Sequence, residues 1–134
     1  MEIITDKPIN LAELLSEAHH EKSGALVLFS GETRNHGDDG RSVNYLEYEA
    51  HKSMAETMIK KIVSEAIKKW SLNYAFCVHR IGRVDYCESS VAIITSSAHR
   101  KDAYEANKFI IDQIKKDVPI WKKEYFTDGN NDWK

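Results

Sequence analysis

Three stretches of this chain gather side chains that can hold or transfer charge. The first is Arg34-Asn35-His36, inside Gly31–Ser42, a run that reads GETRNHGDDGRS with three glycines and no apolar residue. Arginine presents five donors in a planar fork that fits phosphate or carboxylate. A loop just behind a strand can hold that fork rigidly, although a solvated loop arginine is the plainer account. The second is Ser96-Ser97-Ala98-His99-Arg100, where a strand pattern gives way to a helical one. Helix N-termini expose N–H groups and attract anions. Cations placed there weaken the helix, and such a local cost without a structural gain points to function. The competing account has both side chains reaching solvent or a carboxylate.

The third is Lys115 to Glu124, KKDVPIWKKE, with lysine pairs on either side of a Pro and a Trp. Favourable charge at a helix C-terminus accounts for Lys115 and Lys116. In the strand that follows, alternation sets Trp121 and Lys123 on one face and Ile120 and Lys122 on the other. A lysine in the apolar phase of a strand loses hydration, which suits it to proton transfer or nucleophilic work. A solvated basic face is the ordinary alternative. Other groupings carry less. His36 with Asp38 and Asp39 imitates a metal site, but a tight Asp-Asp-Gly turn is the simpler reading, and no metal is expected. Glu47 and Glu49 share a strand face without a specific meaning. Phosphate-loop, dinucleotide and nucleophile-elbow motifs are absent, so no cofactor is expected.

The elements that must position these groups follow from periodicity. Glu2 to Thr5 reads as a strand, and Asn10 as the N-cap of a helix carrying Leu11, Leu14, Leu15 and Ala18. Ala25 to Phe29 is a continuous apolar run, the mark of a strand buried on both faces. After the Gly31–Ser42 loop, Val43 to Tyr48 resumes a strand. Met54 to Trp70 is a helix with Met58, Ile62, Ala66 and Trp70 at spacings of four. Tyr74 to Arg80 and Ser90 to Ser97 are strands, and Ile81 to Val84 a turn or short strand. Lys101 to Asp117 is a helix with Ala103, Ala106, Ile110 and Ile114 as its buried stripe. Pro119 ends it and keeps Val118 extended. Trp121 to Phe126 is a strand, and Asp128 to Asn131 a turn. Interleaved strands and helices indicate an α+β or α/β class.

At 134 residues the chain fits one domain, residues 1–134. Its formal net charge is −2, so it has no global field for nucleic acid or acidic membranes, and neither is expected as a partner. Two cysteines, Cys77 and Cys87, lack metal spacing and read as free thiols in a reducing compartment. The N-terminus lacks an apolar leader, and no run reaches about 18 apolar residues. A cytoplasmic location is expected.

Four segments, taken together, carry a resemblance. They are GALVLFSGETRNH, VNYLEYEAHKSMAE, VHRIGRV and TSSAHRKDAYEANKFIIDQIKKDVPIWKKE, in that order from about Gly24 to Trp133. In this order the chain resembles the large, catalytic subunit of molybdopterin synthase. The SAHR-x-x-A-x-x-A and P-x-W-K-K-E runs are its most specific pieces. The resemblance implies an α+β fold of the α/β-hammerhead type with an added antiparallel β subdomain. It implies a sulfurtransferase that converts cyclic pyranopterin monophosphate to molybdopterin by adding two sulfurs. It implies a small ubiquitin-like partner whose C-terminal Gly-Gly thiocarboxylate supplies the sulfur, a homodimer of this chain, and a heterotetramer overall. Carried onto this sequence, the substrate site falls on Glu32, Thr33, Arg34, His99, Arg100, Lys115, Lys122, Lys123 and Glu124, with Lys115 and Lys122 as the catalytic lysines. Members usually continue past the tryptophan matching Trp133 into a charged tail. Here the sequence ends at Lys134, and a contact from such a tail is expected to be absent or replaced.

Two further readings remain beside this one. A non-catalytic anion-binding or partner-docking module would have no need of both Lys115 and Lys122. A phosphoesterase would want a metal cluster or a nucleophile–base pair. Helix length adds a geometric expectation. About fifteen residues separate Arg100 from Lys115, or roughly 22 Å along a helix. A ligand about half that long cannot touch both ends, so the site is expected to be shared between two protomers.

Overall fold

The computed structural model describes residues 2–134. Its strands are β1 (Ile4–Thr5), β2 (Ala25–Glu32), β3 (Val43–Ala50), β4 (Tyr74–Arg80), β5 (Gly82–Val84), β6 (Ser89–Ser97), β7 (Ile120–Phe126) and β8 (Asn131–Trp133). Its helices are α1 (Leu11–Ala18), α2 (Lys52–Trp70) and α3 (Arg100–Asp117). The strands form two sheets, ordered β1-β4-β6-β2 and β5-β3-β7-β8. Among the described strands the β1–β4 pairing is parallel and the others are antiparallel, including all of the second sheet. The α+β class and the separate antiparallel sheet are as the sequence led us to expect.

Helices cover both faces of the first sheet. Side chains alternate along β4 and β6, so Cys77, Val91 and Ile93 meet α2 and α3, while Val78, Ala92 and Ile94 meet α1. The stripe Ile59, Ile62 and Ala66 on α2 packs with Ala106, Ile110 and Ile114 on α3. Ile59 and Ile110 are fully buried, and truncating either to alanine would cost about 2–5 kcal/mol. A buried polar group fixes how α3 lies on the sheet. Asn107 Nδ2 donates to the carbonyls of Val27 (3.2 Å) and Ile93 (3.1 Å), which ties the helix to β2 and β6. Asn10 caps α1 through the Glu13 N–H at 3.1 Å, as expected from its position. Val118 is extended ahead of Pro119, which turns the chain directly into β7.

Three expectations change. β2 is an edge strand and not an interior one: Leu26 and Leu28 pack toward α1 and Phe29 toward α2 and α3, but among the described residues it pairs with β6 alone, so Ala25 to Gly31 are half-buried and not buried. The strand buried throughout is β6, which lies between β4 and β2 and keeps Thr95, Ser96 and Ser97 inside. The loop is shorter than Gly31–Ser42, since pairing with β6 continues across a bulge at Gly31/Glu32. Beyond the Asp128–Asn130 turn the chain returns as β8 against β7, a strand too short to show in the periodicity.

Candidate active site

A cavity of about 530 Å³ opens where the two sheets meet the end of α3. Each wall follows from a local rule. The last turn of α3 brings Ile111, Ile114 and Lys115 to the rim. β7 then alternates. Ile120, Lys122 and Glu124 face the cavity, while Trp121, Lys123 and Tyr125 occupy the other side. On β3 the partners of Lys122 and Glu124 are Tyr48 and Leu46, which line the same cavity. The bulged end of β2 adds Phe29, Gly31 and Glu32, and the following loop adds Arg34 and His36.

The charged groups are unevenly paired. Among the described residues, neither Lys115 nor Lys122 lies within 4 Å of a carboxylate. Arg34 meets Asp38 at 2.8 Å on the open rim. Arg34, by hydrogen bond and by charge, holds the Asp38 carboxyl below its usual range, with smaller contributions from Lys122 and Lys134. An exposed carboxylate there senses three cations at once, so the mouth of the cavity is an anion-attracting place. Glu124 is buried, with Lys134 Nζ at 3.6 Å from Oε1. The loop presses on this carboxylate at Gly37, where a Cβ would come within 2.7 Å of Oε2.

The floor holds a histidine that sequence reasoning did not single out. His79 on β4 is buried and lines the cavity. Its Nδ1 lies 2.8 Å from the Arg80 carbonyl oxygen, which can only accept, so Nδ1 carries the proton. Burial pushes its pKa down to about 4, against which the Arg80 hydrogen bond acts weakly. The imidazole is therefore neutral near pH 7. It meets the Tyr48 ring edge-on at 5.0 Å and so joins the two sheets. Burial raises the Tyr48 hydroxyl above its usual range, partly offset by a hydrogen bond with Ser90.

The structure brings Glu32, Arg34, Lys115, Lys122 and Glu124 into this cavity. It does not bring the other four. Thr33 is buried, its hydroxyl donating to the Val84 carbonyl at 3.4 Å. Lys123 lies on the opposite face of β7, its ammonium 5.2 Å from the ring centroids of Tyr125 and Trp133. His99 and Arg100 are exposed at the far end of α3, where His99 is an N-cap without a side-chain cap bond. The cavity also includes Tyr48, His79 and Lys134, which motif reading passed over. His79 had a signal in the VHRIG run, as a histidine in an otherwise apolar strand. Lys134 had none, because its placement depends on β8.

The remaining chemistry is constrained. Among the described residues no cluster of three or more His, Cys, Asp or Glu side chains is arranged to hold a metal ion. Cys77 is fully buried and desolvation pushes its thiol up to about 12, which leaves it an inert core residue. Cys87 is exposed in the turn before β6. The cavity thus offers two unpaired ammoniums, a rim guanidinium and an apolar floor of Phe29, Val91 and Ile114. That combination can hold a flat anionic ligand and exchange protons with it.

Comparison with known proteins agrees with this geometry. The MoaE protein family matches residues 4–117. The molybdopterin synthase catalytic subunit of Thermoplasma volcanium is 46% identical over 130 residues, which span 97% of this chain and 94% of that protein. The crystal structure of molybdopterin synthase from Staphylococcus aureus superposes with a TM-score of 0.90 at 40% identity, covering 98% of this chain and 94% of that one. A complex of subunits 1 and 2 of molybdopterin-converting factor from Helicobacter pylori matches with a TM-score of 0.77, covering 96% of this chain and 86% of that one. At 24% identity this last likeness is one of fold.

Proposed function

Because this chain belongs to the MoaE family, we propose that it acts as the catalytic subunit of molybdopterin synthase, converting cyclic pyranopterin monophosphate to molybdopterin. It is a sulfurtransferase, adding two sulfurs that arrive on the C-terminal Gly-Gly thiocarboxylate of a small ubiquitin-like subunit. The observation that carries this reading is the pair Lys115 and Lys122, which line one cavity and, among the described residues, have no carboxylate within 4 Å. Their ammoniums oppose the thiocarboxylate charge and supply or take protons as sulfur moves. Arg34 meets the substrate's anionic edge at the rim, and Phe29 and Val91 lie beneath its ring system. Glu32 accepts from ring N–H groups, and Glu124 belongs to the site through its pairing with Lys134. The relatives' designation as a catalytic subunit implies a companion subunit, and the open cavity admits a narrow glycine tail. Free cysteines, one buried and one exposed, fit a reducing cytoplasm.

His99 and Arg100 enter this scheme from a second copy. Eighteen residues of α3 span about 27 Å, so a chain's own His99 is remote from its Lys115. The free edge of β2 runs between those two places. Ala25 pairs with Ser97 near His99, while Phe29, Gly31 and Glu32 line the cavity. Antiparallel pairing of two β2 edges in a homodimer carries the helix start of one protomer toward the cavity of its partner. There His99 and Arg100 bind the cyclic phosphate. With a small subunit on each protomer the assembly is a heterotetramer.

The test is incubation with thiocarboxylated small subunit and cyclic pyranopterin monophosphate, with detection of the dithiolene product. Lys115→Ala is expected to abolish product while leaving circular dichroism and thermal unfolding unchanged. A variant with wild-type turnover sinks the catalytic assignment.

A further inference from the structure

We propose that Lys134 is a positioning residue that occupies Glu124 and thereby leaves Lys122 free for an anionic ligand. The proposal rests on the reading of this cavity as the active site and adds a residue to it. Lys122 and Glu124 are two apart on one face of β7, so their Cα atoms are roughly 6–7 Å apart. A buried carboxylate strongly favours a charged partner, and Lys122 is the neighbour within side-chain reach. The structure pairs Glu124 elsewhere. Lys134 Nζ lies 3.6 Å from Glu124 Oε1 and 3.5 Å from Asp132 Oδ2, held between two carboxylates. Among the described residues no other cation lies within 4 Å of Glu124.

The main chain enforces this arrangement. β8 runs against β7 with Asp132 opposite Glu124 and Trp133 opposite Lys123. The Lys134 N–H then donates to the Lys122 carbonyl at 2.7 Å. Lys134 is thus pinned beside the lysine it protects, and its side chain is two-thirds buried along the cavity wall. Gly37 lies on the other side of the carboxylate, where a Cβ would meet Oε2 at 2.7 Å. Glu124 has Lys134 on one flank and the loop on the other, and Lys122 is left to face the mouth. Lys122 and Lys134 both line the cavity.

The measurement is the rate at which each lysine of the purified full chain is acetylated by limiting acetic anhydride, resolved by mass spectrometry. In Lys134→Ala, Lys122 pairs with Glu124, and its labelling falls roughly three- to tenfold as its free-amine fraction drops. Lys134→Arg restores the wild-type rate, as does Glu124→Gln combined with Lys134→Ala. Lys115, which is not involved, labels equally throughout. Unchanged Lys122 labelling in Lys134→Ala overturns the proposal. So does an equal fall in the arginine variant, or a fall that persists in the double variant. In turnover assays Lys134→Ala lowers kcat several-fold with a smaller change in the KM for the pterin substrate, and Lys134→Arg restores kcat. The labelling needs neither substrate nor partner. Absence of product from the wild-type chain would therefore count against the functional reading and leave this proposal to be decided by labelling.

Discussion

Replacing His79 by asparagine should flatten the acid side of the stability profile. The native imidazole titrates at about 4, whereas an unfolded histidine titrates near 6.5. As pH falls below 6.5 the unfolded chain takes up a proton that the native chain refuses, so unfolding is favoured. The stability contributed by the neutral buried ring is full above pH 6.5 and is lost between 6.5 and about 4. At about 1.4 kcal/mol per pH unit, that interval amounts to about 3 kcal/mol. Asparagine keeps an N–H donor for the Arg80 carbonyl but does not titrate. It loses the edge contact with Tyr48, so the variant is less stable at every pH. The readout is therefore the slope. Urea unfolding at pH about 4.5 and about 7.5 should show a wild-type difference that exceeds the variant's by about 2–3 kcal/mol. Carboxylates titrate in both proteins and cancel in the comparison. An asparagine variant with the wild-type pH dependence would refute the assignment of a neutral, acid-shifted His79.

Mixed dimers of His99→Ala and Lys115→Ala chains should recover about a quarter of wild-type activity after random exchange, since half the dimers are mixed and each has one intact site. Failure to recover after demonstrated exchange would exclude a shared site. Arg34→Ala should weaken substrate binding in calorimetry, with a smaller loss at high salt, and unchanged affinity at low salt would count against it. Asp38→Asn frees Arg34 from its exposed partner and should tighten binding, by no more than about fivefold for so solvated a pair. Combining Cys77→Ala with Cys87→Ser should leave sulfur transfer from a thiocarboxylated partner intact, and selective loss of transfer in a folded variant would point to a cysteine-bound sulfur.

Local periodicity located much of the site. Lys115 follows Ile114 at the end of a regular apolar stripe, and Pro119 marks where the helix must stop. Two-residue alternation after Pro119 then puts Lys122 with Ile120 and separates both from Lys123, which is the observed arrangement. The rise of an unbroken helix already set His99 apart from Lys115. Tertiary partners were harder to read. An apolar run such as ALVLF looks the same at the edge of a sheet as at its centre, whereas β6 carries serines and a threonine although it lies centrally. Thr33 enters the candidate site through the resemblance, beside Arg34, yet consecutive residues leave an extended chain on opposite sides, and its hydroxyl turns inward. His79 reaches the cavity on a strand that pairs with distant β1 and β6, which no local window contains, and Lys134 through a hairpin whose return strand is only three residues long.

The open edge of β2 bears on how this protein behaves in bulk. From Ala25 to Gly31 the strand carries no charge, and only Glu32 at its end is ionised. Native edges are usually blunted by charge, proline or a cover, because an uncharged edge recruits any strand that meets it. A chain without a partner on that edge is therefore exposed to disordered growth by strand addition as well as to ordered pairing. Under the proposed pairing of two β2 edges, the same seven residues govern both outcomes, which links colloidal stability and assembly through one surface. Charge introduced along that edge, outside the packed faces, would suppress both. Dilute, unpaired chains would precipitate less readily, and the paired form would be lost with the precipitate.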